Sequence, residues 1–162
     1  MDTRQMKTTA DSITEWSHCL LYQDINGTGS LFGGRIMEWI DEVAGVTAER
    51  HCGGSVTTAS VDNLQFKRGA RLNDIVVIIG KITYVGRTSM EVRVDSYVEE
   101  KKTGMRYVIN RAYVTEVFVD DETMRPKQIP YGLELQTENE KAEWEGALKR
   151  IQMRKQRRRE GF

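Results

Sequence analysis

From Arg35 to Arg50 the apolar positions recur at helical spacing. Ile36, Ile40, Val43 and Thr47 fall on one stripe, and Glu38, Glu42 and Glu49 on another. The pattern predicts one long helix. Cys52-Gly53-Gly54 ends it, because glycine readily takes the left-handed conformation that stops a helix. From Ser55 to Val119 the period becomes that of strands. Val56 to Phe66, rich in Thr and Val, is the first, and Ile75-Val76-Val77-Ile78-Ile79 is an unbroken apolar run suited to a strand covered on both faces. After Gly86-Arg87, Met90, Val92, Val94 and Val98 alternate with Glu91, Arg93, Asp95 and Tyr97. Lys101-Lys102-Thr103-Gly104 signals a turn, and Tyr107 to Val119 forms a last strand ended by Asp120-Asp121.

Ahead of the helix, Ile13 to Tyr22 reads as a short strand, followed by the glycine-rich loop Asn26 to Gly34. Beyond Pro126 and Pro130, the segment from about Glu138 to Arg159 predicts a second helix with its acids first and its bases last, the order that suits the helix dipole. No internal repeat is present. The expected class is α+β: a strand, a long helix, four strands in an antiparallel meander, then a terminal helix. One helix cannot cover both faces of a sheet of about five strands. The sheet is therefore expected to curl around it and offer its remaining apolar surface to a second subunit. Residues 1–135 are expected to form the domain and 136–162 a charged C-terminal helical tail.

Composition narrows the partners. The formal net charge is zero, so the field of the whole chain favours neither nucleic acid nor an anionic membrane. The basic run from Arg154 to Arg159 is the one asymmetry; it is expected to be a solvated helix end, and RNA binding through it would show a steep salt dependence. No apolar run approaches the length of a membrane span, and Met1 to Lys7 lacks the apolar core of a signal peptide. Two cysteines, Cys19 and Cys52, suggest thiols in a reducing compartment, with the cytoplasm expected.

Asp41 is the most informative single position. It shares a helical stripe with Met37, Ala44 and Ala48 rather than with the glutamates, so partial desolvation would make it a candidate general base or nucleophile. The competing reading is a surface acid paired with Arg35 or Arg50. Asn26-Gly27 is a tight-turn signal, and its side-chain amide is also a candidate to orient water or to donate to an oxyanion. Gly33-Gly34 at the helix start could present backbone N–H groups to an anion or simply pack closely. The glycine loop has no Gly-Lys-Ser/Thr ending, which leaves a nucleotide P-loop unsupported. His18-Cys19 and His51-Cys52 are sequence neighbours, which does not itself give thiol-protease geometry, and they lack metal-ligand spacing.

Together these segments resemble the acyl-CoA hydrolase branch of the hotdog-fold superfamily. Asn26-Gly27-Thr28-Gly29-Ser30-Leu31-Phe32-Gly33-Gly34 resembles its Asn-x-x-Gly-x-x-Phe-Gly-Gly stretch, and Ile36 to Glu42 its helix with the catalytic aspartate. Val56 to Asp62 with Phe66 resembles the next strand, and Gly86 to Val92 the hairpin beyond it. The likeness spans roughly Ile25 to Arg159. It departs at Gly69, where the family usually has proline, and at Asn73, where glycine is usual.

The resemblance implies an acyl-CoA thioesterase yielding free fatty acid and coenzyme A. It implies two subunits joining their sheets, often as a trimer of such dimers, with Asn26 of one facing Asp41 of the other. Asn26 and Asp41 are then the catalytic pair. Gly33 or Gly34 polarises the thioester carbonyl, Thr58 supports the acid, and Arg87 and Ser89 contact coenzyme A. No metal or redox cofactor is expected. A non-catalytic acyl-CoA sensor is the alternative, though such regulators usually carry a DNA-binding domain, for which the short N-terminus is expected to leave no room. A hotdog hydratase is disfavoured by the absence of histidine between Asn26 and Asp41.

Overall fold

The computed structural model describes residues 3–162. The elements in chain order are β1 (Gln5–Thr8), β2 (Thr14–Cys19), α1 (Gly33–Cys52), β3 (Val56–Phe66), β4 (Ile75–Val85), β5 (Ser89–Glu99), β6 (Arg106–Phe118), β7 (Tyr131–Glu134) and α2 (Glu138–Glu160). The five-stranded sheet has the order β2-β4-β5-β6-β3 and is antiparallel throughout. Helix α1 touches all five strands, as expected of a helix wrapped by a curved sheet. Gly53 ends α1 in the left-handed conformation, with φ of 74°.

The expected four-strand meander holds only for β4-β5-β6. Strand β3 does not pair with β4 but crosses to the far edge beside β6. Burial explains the exchange: Val76, Val77 and Ile78 of β4 are buried on both faces, whereas Thr57, Thr58 and Ala59 of β3 are exposed and belong at an edge.

The predicted apolar stripe of α1 packs on the inner face of the sheet. Ile36, Ile40 and Val43 meet Val76, Ile78, Val92, Val94, Ala112 and Val114 in one core. Gly80 makes the close approach possible, because a side chain there would collide with Thr47 and Val43.

Two features went unforeseen. Strands β1 and β7 form a separate parallel pair, Gln5 opposite Tyr131, beside the end of α1. Lys7 Nζ in β1 donates to the carbonyls of Arg50 and His51 at 2.9 and 2.8 Å, placing a cation where the helix leaves acceptors unpaired. The second feature is α2, which packs on the outer face of the sheet rather than standing free. Thr137 caps it in a box with Glu140. Its residues Glu143, Ala147, Arg150 and Arg154, at helical spacing, lie against β3, β5 and β6. Arg150 grips Glu91 and Arg154 pairs with Asp62, while Trp144 packs on Tyr84 with ring centroids 4.5 Å apart. The expected solvated helix end is thus corrected for Arg154 and Arg157, which both pair with Asp62, and holds for Lys155, Arg158 and Arg159.

Candidate active site

Asp41 stands on the open side of α1 and is exposed, although Ala44 and Ala48 of the same stripe are fully buried. The expected desolvation is therefore absent within one chain. Neither candidate cation pairs with it. Arg35 reaches Glu38 and Asp24, and Arg50 donates to the carbonyl of Ile13 and the hydroxyl of Thr14. Instead Thr58 Oγ1 lies 2.7 Å from Asp41 Oδ1 and 3.1 Å from Glu116 Oε1. Strand pairing builds this triplet: Thr58 sits opposite Glu116 across β3 and β6, and a register shift between Thr58 and Ser60 bends the edge strand there. Asp41, Gly45, Val46, Val56, Thr58 and Glu116 line an open cavity of about 460 Å³.

Glu116 escaped the sequence reading. It is fully buried, and burial pushes its carboxyl up to about 7. The Thr58 hydrogen bond works against that shift, and the negative charges of Asp41 and Glu49 add to it. The signal was present in the period of two. Ala112, Val114 and Phe118 are the apolar inner face of β6, and Glu116 is the carboxylate that interrupts it.

Asn26 serves its turn through one end of its amide. Oδ1 accepts from Thr28 N at 3.0 Å, Thr28 Oγ1 at 2.7 Å and Ser30 N at 3.1 Å. The turn reading is correct, and it leaves Nδ2 as a donor without a partner among the described residues. Asp24, buried just upstream, anchors the loop. It accepts from Leu21 N–H at 2.9 Å and contacts His18 Nε2 at 2.8 Å. Burial opposes its charge, but those bonds, with Arg35 nearby, hold it below the usual carboxylate range. His18 is itself held between Trp16 and Trp39, a structural post. Cys52 is equally unsuited to thiol chemistry: burial pushes its thiol up, and its Sγ faces the carbonyl of Gly54.

Gly33 and Gly34 open α1, where Phe32 offers no side-chain cap, so the first N–H groups are left for other partners. Gly33 borders a second cavity of about 360 Å³, lined by Leu31, Ile36, Phe66, Ala70 and Ile109 among others. Eight residues of helix separate Gly33 from Asp41, about 12 Å along the axis. Arg87 is exposed at the β4–β5 turn, and Ser89 lies across the ladder from Val117. One chain therefore gathers Asp41, Thr58 and Glu116, and holds Gly33 at a different cavity.

Asn73, the departure from the usual glycine, takes φ of 68°, so asparagine keeps the left-handed turn that glycine normally fills. Among the described residues no helix is long and apolar enough to cross a membrane.

Comparison with known proteins gives a consistent picture. The model of the thioesterase superfamily matches residues 28–105. An uncharacterized acyl-CoA thioester hydrolase of Bacillus subtilis is 35% identical over 136 residues, covering 84% of this chain and 78% of that one. The crystal structure of an apo-hexameric acyl-CoA thioesterase superposes with a TM-score of 0.89 at 38% identity, over 94% of this chain and 97% of that one. An acyl-CoA hydrolase of Staphylococcus aureus, solved with butyryl coenzyme A, coenzyme A and coenzyme A disulfide, gives a TM-score of 0.88 at 33% identity over 96% and 94%. That enzyme has also been solved with an asparagine, an aspartate and a threonine each replaced by alanine, at positions successively 15 and 17 residues apart.

Proposed function

The chain belongs to the acyl-CoA thioester hydrolases of the thioesterase superfamily, and from that premise we propose that Asp41, Thr58 and Asn26 carry its chemistry. It hydrolyses acyl-CoA to a free fatty acid and coenzyme A. The observation that carries the assignment is Asp41 at the mouth of a cavity, with no cation paired to it among the described residues, held at 2.7 Å by the Thr58 hydroxyl. The spacing from Asn26 to Asp41 to Thr58 is also 15 and 17 residues, matching in residue type and interval the three positions replaced in the staphylococcal enzyme.

In the general-base form of the reaction, Asp41 takes a proton from water as its oxygen attacks the thioester carbonyl carbon. Asn26 Nδ2, with the N–H of Gly33 or Gly34, receives the charge that develops on the carbonyl oxygen. The tetrahedral intermediate collapses, the carbon–sulfur bond breaks, and the coenzyme A thiolate takes up the proton that Asp41 removed from water, which restores the base. In the alternative form Asp41 attacks directly and water hydrolyses the mixed anhydride. Arg87 and Ser89 are assigned to coenzyme A contact.

The site is shared between two subunits in this reading. The separation of Gly33 from Asp41 along α1 supports it, as does an uncovered apolar surface comprising Met37 and Val46 of α1 and Val61 and Phe66 of the edge strand β3. A hexamer built as a trimer of dimers follows the assembly named for the apo-hexameric thioesterase. Two free thiols, Cys19 and Cys52, support the cytoplasm as its compartment.

The test is release of free thiol from short, medium and long acyl-CoA esters. Asp41→Asn should lower turnover by about 10²–10⁴ in a folded protein. Asn26→Ala refolded together with Asp41→Asn should recover roughly a quarter of wild-type activity, because about half the dimers are mixed and each has one intact site. Ester binding without thiol release would point to the sensor; no recovery in confirmed mixed dimers would place both residues in one chain.

A further inference from the structure

Thr58 Oγ1 stands between two carboxyl oxygens, Asp41 Oδ1 at 2.7 Å and Glu116 Oε1 at 3.1 Å, and a hydroxyl has a single proton to donate. If both acids are ionised, one of the two contacts is oxygen against oxygen with no hydrogen between them. Both contacts become hydrogen bonds when one acid carries a proton and donates it to Oγ1, while the hydroxyl donates to the other. The surroundings decide which acid that is. Asp41 is exposed, where water supports its charge, whereas Glu116 is fully buried and its Oε2 has no partner among the described residues.

Nothing packed against Glu116 favours its ionised form apart from Thr58. Helix α1 brings Asp41 and Glu49, both negative, with Glu42 also at the cavity; β5 places Met90 opposite it and β3 places Thr58. Among the described residues no cation lies within salt-bridge distance of it.

We propose that Glu116 is a positioning residue of the hydrolase: as a neutral acid it donates to Thr58 Oγ1 and thereby commits the Thr58 proton to Asp41, the proposed base. This rests on the assignment of Asp41 above. When Glu116 loses its proton, Thr58 is contested by two carboxylates, and the base loses its fixed orientation. The rise of Glu116 to about 7 puts that change within the working range of a neutral-pH enzyme.

Three variants test the relay through kcat and KM as functions of pH. In the wild type kcat should fall above about pH 7, as the neutral fraction of Glu116 drops about tenfold per pH unit. Glu116→Gln supplies a permanent donor to Oγ1, so it should match the wild type at pH 6 and lose the fall. Glu116→Leu has neither donor nor acceptor, so it should lower kcat below about pH 7 with KM unchanged and should show no fall above it. If Glu116→Gln keeps the wild-type fall, or is as poor as Glu116→Leu throughout, the relay is wrong.

A readout independent of turnover is the infrared carboxyl band that Glu116→Gln removes. With Glu116 intact it should titrate near 7, and its midpoint should drop in Asp41→Asn because a neighbouring negative charge is gone. A midpoint that ignores Asp41→Asn overturns the relay. A band that behaves as expected in a protein releasing no thiol overturns the hydrolase assignment and leaves the hydrogen-bond arrangement standing.

Discussion

Glu91 and Glu116 are the same residue type, on neighbouring strands, and equally hidden from water. Glu91 pairs with Thr115 in the β5–β6 ladder, so the two glutamates are one register position apart and point to opposite faces. They are 1% and 0% exposed. Yet Glu91 is gripped by Arg150 through two bonds of 2.9 and 2.7 Å and receives Thr83 Oγ1 at 2.8 Å, whereas Glu116 has one hydrogen-bond partner among the described residues, a threonine hydroxyl. Burial alone therefore separates nothing here; the partner does. A carboxylate in a bidentate arginine clamp is fixed in place and serves architecture. One held by a single hydroxyl can exchange its proton, which is a property of chemistry.

The largest expected effect comes from breaking the clamp. Removing one partner of a buried ion pair costs about 3–5 kcal/mol, because the other charge is left behind. Glu91→Ala should sit near the lower end, since Arg150 still lies over the Tyr113 ring, 3.5 Å from its centroid, and 4.0 Å from Glu143. Urea unfolding should show the loss while kcat per folded molecule stays at the wild-type value. A fall in kcat without a loss of stability would erase the distinction between the two faces.

Next in size is the pH dependence that Glu116 imposes on stability. Its ordinary value of 4.5 is raised to about 7 in the folded chain. The stability it contributes is complete below about pH 4.5 and lost as pH rises to about 7, a change of about 3 kcal/mol. His51 acts in the opposite sense. Burial, with Lys7 nearby, lowers it from 6.5 to about 4, so its contribution is complete above 6.5 and lost as pH falls to about 4. In the wild type the two slopes oppose each other across most of that window. Glu116→Gln should remove one of them, leaving stability that falls steadily on acidification and exceeds wild type near pH 8. Parallel stability curves for the two proteins from pH 4.5 to 8 would show that Glu116 ionises freely in the fold.

What the sequence made legible follows from the range of each signal. Helix α1 and strands β3 to β6 could be read because their periods are local and long. The pairing of β3 with β6 could not, since nothing in Val56 to Phe66 names a partner 44 to 62 residues on. Strands β1 and β7 are four residues each and meet from opposite ends of the chain, which leaves no hairpin signal. Asn26, Asp41 and Thr58 are proposed as the site from their motif, and the exposure of Asp41 was not legible there. Its stripe predicts burial that one chain does not supply. The polar face of β5 was read correctly as polar but not as covered. Charge pattern alone does not distinguish water from a second layer of arginines, which here is α2.

The smallest effect tests that second layer at its far end. Arg154 and Arg157 both pair with Asp62, which is 7% exposed on the edge strand β3. Ending the chain after Met153 strips Asp62 of both partners. The cost should be about 1–3 kcal/mol, below that of Glu91→Ala, because an acid on an edge strand can regain water when the helix over it is gone. Thr58, four residues earlier, keeps its own ladder position opposite Glu116, so kcat on a short acyl-CoA should change little. A lower urea midpoint at unchanged m-value and unchanged kcat is the expected result. An unshifted midpoint would mean that Arg154 and Arg157 contribute nothing to stability and that the basic run is the solvated helix end its charge order suggests. A rise in KM that disappears with thioesters lacking the coenzyme A phosphates would instead assign these arginines to the ligand, and the outer face would then share in the chemistry reserved here for Glu116.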